Sequence, residues 1–313
     1  MESVRKHKSI YPDHSDLSIF NLHSIKKEMD TIFQVQGSPK SRLAPLFLVH
    51  AISGLALPYN SLGSLDLRGR TVYAINSPIY GPRRYRLPSS IEDVARQYIR
   101  FVRSKQATGP YLLGGWSFGG LVALKMAEML SVQGETILQV VMIDTPNPIS
   151  RPPWGSEGQE GLAALTYNAI AQRAGQPIMD ARQPTPPAKG EGVDADGEDE
   201  STAMWQNMYK HIYNVLALVE RAADGEFVSP MNEVKVSFVK CSVLEVPPSG
   251  LITDPSRKFY FDRYEDDFMG WQPERFAGWE GYTLDAEHNS VFDPAHVDDL
   301  TRILSEIVAK VVE

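Results

Sequence analysis

The chain has 313 residues, of which 42% are hydrophobic and 22% charged, a composition ordinary for a soluble α/β protein of one large domain or two small ones. Its formal net charge of −8 argues against a nucleic-acid partner, which needs a basic face. No apolar run approaches the roughly 20 residues that cross a bilayer, and the charged start MESVRKHKSIYPDHSD lacks the apolar centre of a signal peptide, so a cytoplasmic protein with no membrane partner is expected.

Residues 1–30 read as an N-terminal extension. TIFQVQ (31–36) and PLFLVH (45–50) read as neighbouring strands joined by a turn, and TVYAIN (71–76) as a third strand. The period then changes. Ile91, Val94, Ala95, Tyr98, Phe101 and Val102 recur at helical spacing, with Ser90 and Asp93 resembling a capping box at the start. YLLGGW (111–116) is the next strand, FGGLVALKMAEMLSVQG the next helix, ending at Gly134, and ILQVVMID (137–144) the strand after it. Nearly continuous apolar strands alternating with helices mark a mostly parallel sheet covered on both faces.

After Asp144 the proline- and glycine-rich TPNPISRPPWGSEGQ breaks this pattern. Two helical stretches follow, at about 160–174 and 201–223. The acidic segment between them, at about 183–202, has almost nothing to bury and is expected to be mobile. The sheet resumes at VKVSFVKCSV (234–243), WEGYTLDA (279–286) is the last strand, and DPAHVDDLTRILSEIVAKVV (293–312) the closing helix. The expected layout is a core of 31–149 and 231–313 interrupted by a helical lid insertion at 150–230.

Gly115-Trp116-Ser117-Phe118-Gly119 sets a G-x-S-x-G motif between a strand and a helix. In such a nucleophile elbow of the α/β-hydrolase fold the serine sits in a strained turn. Side chains two residues either side of it would collide, so glycines stand there. The helix N-terminus favours negative charge developing at the serine. A serine hydroxyl needs a histidine base and a carboxylate to orient that base, in the chain order Ser, acid, His. Of seven histidines, His288 follows the last strand, where a loop reaches the C-terminal edge of the sheet; His296 is the weaker choice. His211, inside a predicted lid helix, reads as a surface or core residue. For the acid, spacing favours Asp144 after ILQVVMID and leaves Glu245, one strand later, open. An oxyanion needs two backbone N–H donors. Phe118 is one, and the loop VHAISG supplies the other, Ile52 before Ala51. The single Cys241 allows no internal disulfide and no metal-ligand spacing, so no metal and no cofactor are expected. The cluster GPRRYR, with Arg83, Arg84 and Arg86, reads as a solvated loop before a docking patch.

PLFLVHAISGLALPYNSLGSL, GPYLLGGWSFGGLVALKMAEML, VVMIDTPNP and DAEHNSVFDPAHVDDLTRIL resemble the thioesterase domains of polyketide, fatty-acid and nonribosomal-peptide synthases, most of all the fungal polyketide ones. The resemblance covers about residues 31–312 and is weakest in the insertion. It implies Asp144 as the acid. It also aligns His50-Ala51-Ile52-Ser53-Gly54 with an H-P-x-x-G loop, which implies Ile52 as the second donor, although Ala51 replaces the proline. The resemblance further implies a helical lid and an acyl substrate presented on the phosphopantetheine arm of an acyl carrier domain; the chain holds little besides this unit, and its initiating Met1 favours an enzyme acting in trans over a fragment of a larger synthase. Release by hydrolysis, release by lactone formation and editing of aberrant carrier-bound acyl groups all fit, as does an oxygen-ester hydrolase with the same triad. A hydrolase fold kept only for binding would lack the complete Ser, Asp and His set.

Overall fold

The computed structural model describes residues 30–81, 85–176, 178, 200–227, 229–245 and 253–312. The N-terminal extension up to residue 29, Arg83 and Arg84 of the basic cluster, and most of the acidic segment expected to be mobile lie outside the described residues. Seven strands form one sheet: β1 (Ile32–Gln36), β2 (Leu46–Val49), β3 (Val72–Ile75), β4 (Tyr111–Trp116), β5 (Ile137–Ile143), β6 (Met231–Val243) and β7 (Phe276–Glu287). Their spatial order is β1-β3-β2-β4-β5-β6-β7, antiparallel at β1–β3 and parallel at every other pairing.

This order corrects the expectation that the first two strands pair with each other. β1 bonds to β3, and β2 lies between β3 and β4. The reason is burial. All four residues of β2 are buried, whereas those of β1 are half-buried or exposed, so β2 takes an interior place and β1 an edge.

Period-2 alternation splits the strand residues between two cores. Phe47, Val49, Leu113, Val140 and Met142 face α1 (Ile91–Lys105) and α2 (Phe118–Val132). Leu46, Leu48, Leu112, Val141 and Ile143 face the closing helix α6 (Val297–Ala309) through Leu300, Ile303, Leu304 and Ile307. α1 buries Ile91, Val94, Ala95, Tyr98, Ile99 and Val102, close to the predicted stripe. Its Ser90 hydroxyl accepts the Asp93 amide, as a cap should, while the Asp93 carboxylate turns to Ser89 rather than completing the box. α2 is buried on nearly every side because it packs between the sheet and α1.

Between β5 and β6 come α3 (Gly155–Arg173) and α4 (Glu200–Ala222), whose apolar residues form a third cluster with Leu55. α3 starts five residues before its predicted position. Within the span expected to form the lid, Leu162, Trp205, Met208 and Leu216 belong to this cluster, and Leu218 packs into the α1–α2 core instead. A helix absent from the sequence expectations, α5 (Asp254–Glu265), precedes β7, with Thr253 as its cap and a proline in its first turn. Among the described residues no helix is long and apolar enough to cross a membrane. The mostly parallel sheet with helices on both faces is the α/β-hydrolase architecture.

Replacing Leu304, fully buried between α6 and the sheet, by alanine is expected to cost about 2–5 kcal/mol. Urea unfolding checks this: the midpoint should fall with the slope unchanged.

Candidate active site

Parallel strands end on a common edge, and loops leaving that edge carry the residues singled out from the sequence. Ser117 lies between β4 and α2 with φ 56° and ψ −122°, a strained conformation for a residue with a side chain. Its amide donates to the Ile143 carbonyl at 2.8 Å, and the Thr145 hydroxyl donates to its carbonyl at 3.0 Å, so β5 and the loop after it hold the turn from both ends. The flanking glycines are sterically required. A Cβ on Gly115 would sit 2.3 Å from the Gly119 carbonyl carbon, and one on Gly119 would sit 2.3 Å from the Val49 carbonyl oxygen. These close approaches bring the start of α2 against the end of β2, and the His50 and Phe118 rings lie 6.2 Å apart.

Asp144 follows β5 and is fully buried, also at positive φ (44°). Its Oδ1 accepts the Cys241 amide at 2.8 Å. Its Oδ2 accepts the Tyr264 hydroxyl at 3.0 Å and His288 Nδ1 at 2.6 Å. Burial alone would raise the carboxyl pKa, but the bond and charge of His288, with the Cys241 and Tyr264 donors, outweigh it and hold the group ionised below its usual range. A carboxylate only accepts, so Nδ1 of His288 carries the proton. Nε2 then faces the Ser117 hydroxyl at 2.9 Å as an acceptor. Burial lowers the His288 pKa, yet the hydrogen bond and charge of Asp144, helped by Glu245, leave it raised above 6.5.

Ser117, Asp144 and His288 are therefore brought together, from loops after β4, β5 and β7. Glu245, the alternative acid, accepts from the amide and side chain of Asn289, the residue after His288, and so braces the histidine loop from outside. His296 stands at the start of α6. Ile52 and Phe118 occupy the loop after β2 and the first position of α2; among the described residues, neither amide donates to a turn or loop carbonyl. The Phe118 N–H, at a helix start, has no intrahelical acceptor. The two helices between β5 and β6 reach both sides of the site. Arg173 of α3 donates to the Asn289 carbonyl at 2.9 Å, and Ile52 packs against the α3–α4 cluster.

Sequence reasoning missed Tyr264 and the Cys241 amide. The Thr253-Asp254-Pro255 cap signature could have revealed α5, but no local signal says that Tyr264 reaches a residue 120 positions earlier.

Comparison with known proteins points the same way. The thioesterase domain family matches residues 44–170. Thioesterase pytI of Aspergillus terreus is 32% identical over 310 residues, covering 90% of this chain and 99% of that protein. A non-reducing polyketide synthase of Pseudevernia furfuracea, PFUR17_0229, is 42% identical over 120 residues, which is 38% of this chain and 6% of the synthase. Among solved structures, the NocB thioesterase domain in covalent complex with a fluorophosphonate nocardicin G analog superposes with a TM-score of 0.59 at 21% identity, over 89% of this chain and 99% of that one.

Labelling of Ser117 by a fluorophosphonate should quicken as pH rises through a midpoint above 6.5, because the neutral imidazole is the base and its pKa is raised. In Asp144→Asn the hydrogen bond and charge that raise it are gone, so the midpoint should move to lower pH and the rate fall by about 10³- to 10⁴-fold. A pH series of labelling rates measures both.

Proposed function

The chain belongs to the thioesterase domain family, and from that premise we propose that it is a serine thioesterase releasing a polyketide-type acyl chain from the phosphopantetheine thioester of an acyl carrier domain. The observation that carries this reading is the continuous hydrogen-bonded path from the Ser117 hydroxyl through His288 to buried Asp144.

In the first step His288 Nε2 takes the Ser117 proton as Oγ attacks the thioester carbonyl. The Phe118 and Ile52 amides receive the oxyanion. The tetrahedral intermediate collapses, the carbon–sulfur bond breaks, and His288 returns the proton to the departing thiol. The acyl group is then an ester of Ser117. In the second step His288 deprotonates a new nucleophile, which attacks that ester and frees the serine. Water gives an acid; a hydroxyl on the acyl chain itself gives a lactone. α3 and α4 act as the lid that decides between them, by how far they exclude water and fold the chain back on itself. Alignment with nearly the whole of a protein named only as a thioesterase supports a carrier presented on a separate chain.

The test is intact-mass analysis after mixing the enzyme with an acyl-loaded carrier protein, alongside turnover of the same acyl group as a small thioester and as a simple ester. An acyl adduct on Ser117, absent in Ser117→Ala, is expected, with kcat/KM highest for the carrier-bound substrate. Undiminished release by Ser117→Ala would remove the mechanism. Preference for the simple ester would make the chain an oxygen-ester hydrolase.

A further inference from the structure

α4 carries polar residues at 207, 211 and 214, one face of a helix. All three reach the segment that follows β3. Asn207 donates to the Ile79 carbonyl at 3.1 Å, His211 Nδ1 lies 3.2 Å from the Ser77 hydroxyl, and Asn214 donates to the Pro88 carbonyl at 3.3 Å. That segment in turn grips the loop carrying Ile52. The Ser77 amide donates to the Gly54 carbonyl at 2.7 Å, the Tyr80 hydroxyl donates to the Ser53 carbonyl at 2.5 Å, and Asn76 accepts the Ala56 amide at 2.8 Å. Gly54 has φ +80°, and a Cβ there would stand 2.7 Å from the His211 ring, so the imidazole rests directly on the loop backbone.

The other end of the loop is held by His50. Its Nδ1 donates to the Ala51 carbonyl at 2.6 Å, which leaves Nε2 to accept the Tyr98 hydroxyl at 2.5 Å. The His50 and His211 rings meet edge to face, 5.1 Å between centroids. Both are buried. Burial pushes His50 down to about 4, and burial and then the neighbouring His50 push His211 well below 6.5, so both are neutral hydrogen-bonding groups rather than charges. Among the described residues His211 Nε2 is buried with no partner, a cost that an apolar side chain would avoid.

We infer that His211 is a positioning residue for acyl transfer: through Ser77 and Gly54 it fixes the Ile52 amide at the oxyanion, so α4 must be docked for the donor to be aimed. This rests on Ile52 being the second oxyanion donor. The polar stripe on α4, the backbone bond from Ser77 to Gly54 and the missing Cβ at Gly54 form one path from the helix to the loop that carries that amide. A displaced amide weakens binding of the transition state and not of the substrate, so the effect belongs in kcat rather than KM.

The experiment compares His211→Leu, His211→Asn, Ser77→Ala and Ile52→Pro, using an acyl N-acetylcysteamine thioester, active-site titration with a fluorophosphonate, and thermal melting. His211→Leu should lower kcat per titrated site by about 10- to 100-fold, part of what a whole oxyanion donor is worth, with KM little changed. His211→Asn, which restores a polar atom near the Nδ1 position, should recover most of the loss. If His211→Leu does not fold, Ser77→Ala removes the same contact by a smaller change and should show the same fall. Wild-type kcat in His211→Leu or Ser77→Ala overturns the inference, as does an Asn variant no better than Leu. Ile52→Pro, which lacks the amide proton, separates the two levels. If it too retains wild-type kcat, the donor assignment itself fails; if it is slow while His211→Leu is not, only the coupling to α4 fails.

Discussion

Everything at this site depends on the turn at Ser117. A residue with a side chain is kept at φ 56° between a strand and a helix, and two glycines are the steric condition for it. The same condition sets the rest of the geometry. With no Cβ at Gly119, the first turn of α2 presses against the end of β2 and the His50 carbonyl, and the Phe118 ring stands beside that of His50. The turn is consequently held at both ends, its Ser117 amide by the Ile143 carbonyl of β5 and its Ser117 carbonyl by the Thr145 hydroxyl just beyond that strand. For the proposed attack by Ser117 this leaves little to reorganise, and preorganised donors act most strongly in that case.

The acid is arranged on the opposite principle. Asp144 has no access to water, and a buried carboxylate is tolerable only when its lone pairs are engaged. Three groups from three later parts of the chain engage it: the β6 backbone at Cys241, Tyr264 of α5, and His288 after β7. The ionised form that results selects the histidine tautomer, and the tautomer turns a lone pair towards the serine. Glu245 contributes from the surface by holding Asn289, so the two carboxylates serve one histidine in different ways.

The helices between β5 and β6 are tied into this frame by polar contacts as well as by apolar packing. α3 reaches the loop of His288 through Arg173, and α4 reaches the loop of Ile52 through the segment after β3. On the proposed reading, a cover held at both sides of Ser117 would aim groups as well as exclude water.

The sequence alone determined the parts whose signal is local. Apolar runs and helical spacing located every strand of the sheet and the α1, α2 and α6 helices, and the G-x-S-x-G turn singled out Ser117 because its steric requirement is written within five residues. His288 could be chosen because it follows the last strand. Asp144 could only be favoured over Glu245, since both end strands; the family resemblance pointed to one, and the distance to the imidazole distinguishes them in space. Strand order was out of reach, because pairing depends on how much of β1 and β2 is buried by elements distant in the chain. Tyr264 and His211 were out of reach for the same reason. Each is an ordinary residue on its own helix and gains its role from a contact made 120 or 134 positions away, which only the packed tertiary structure decides.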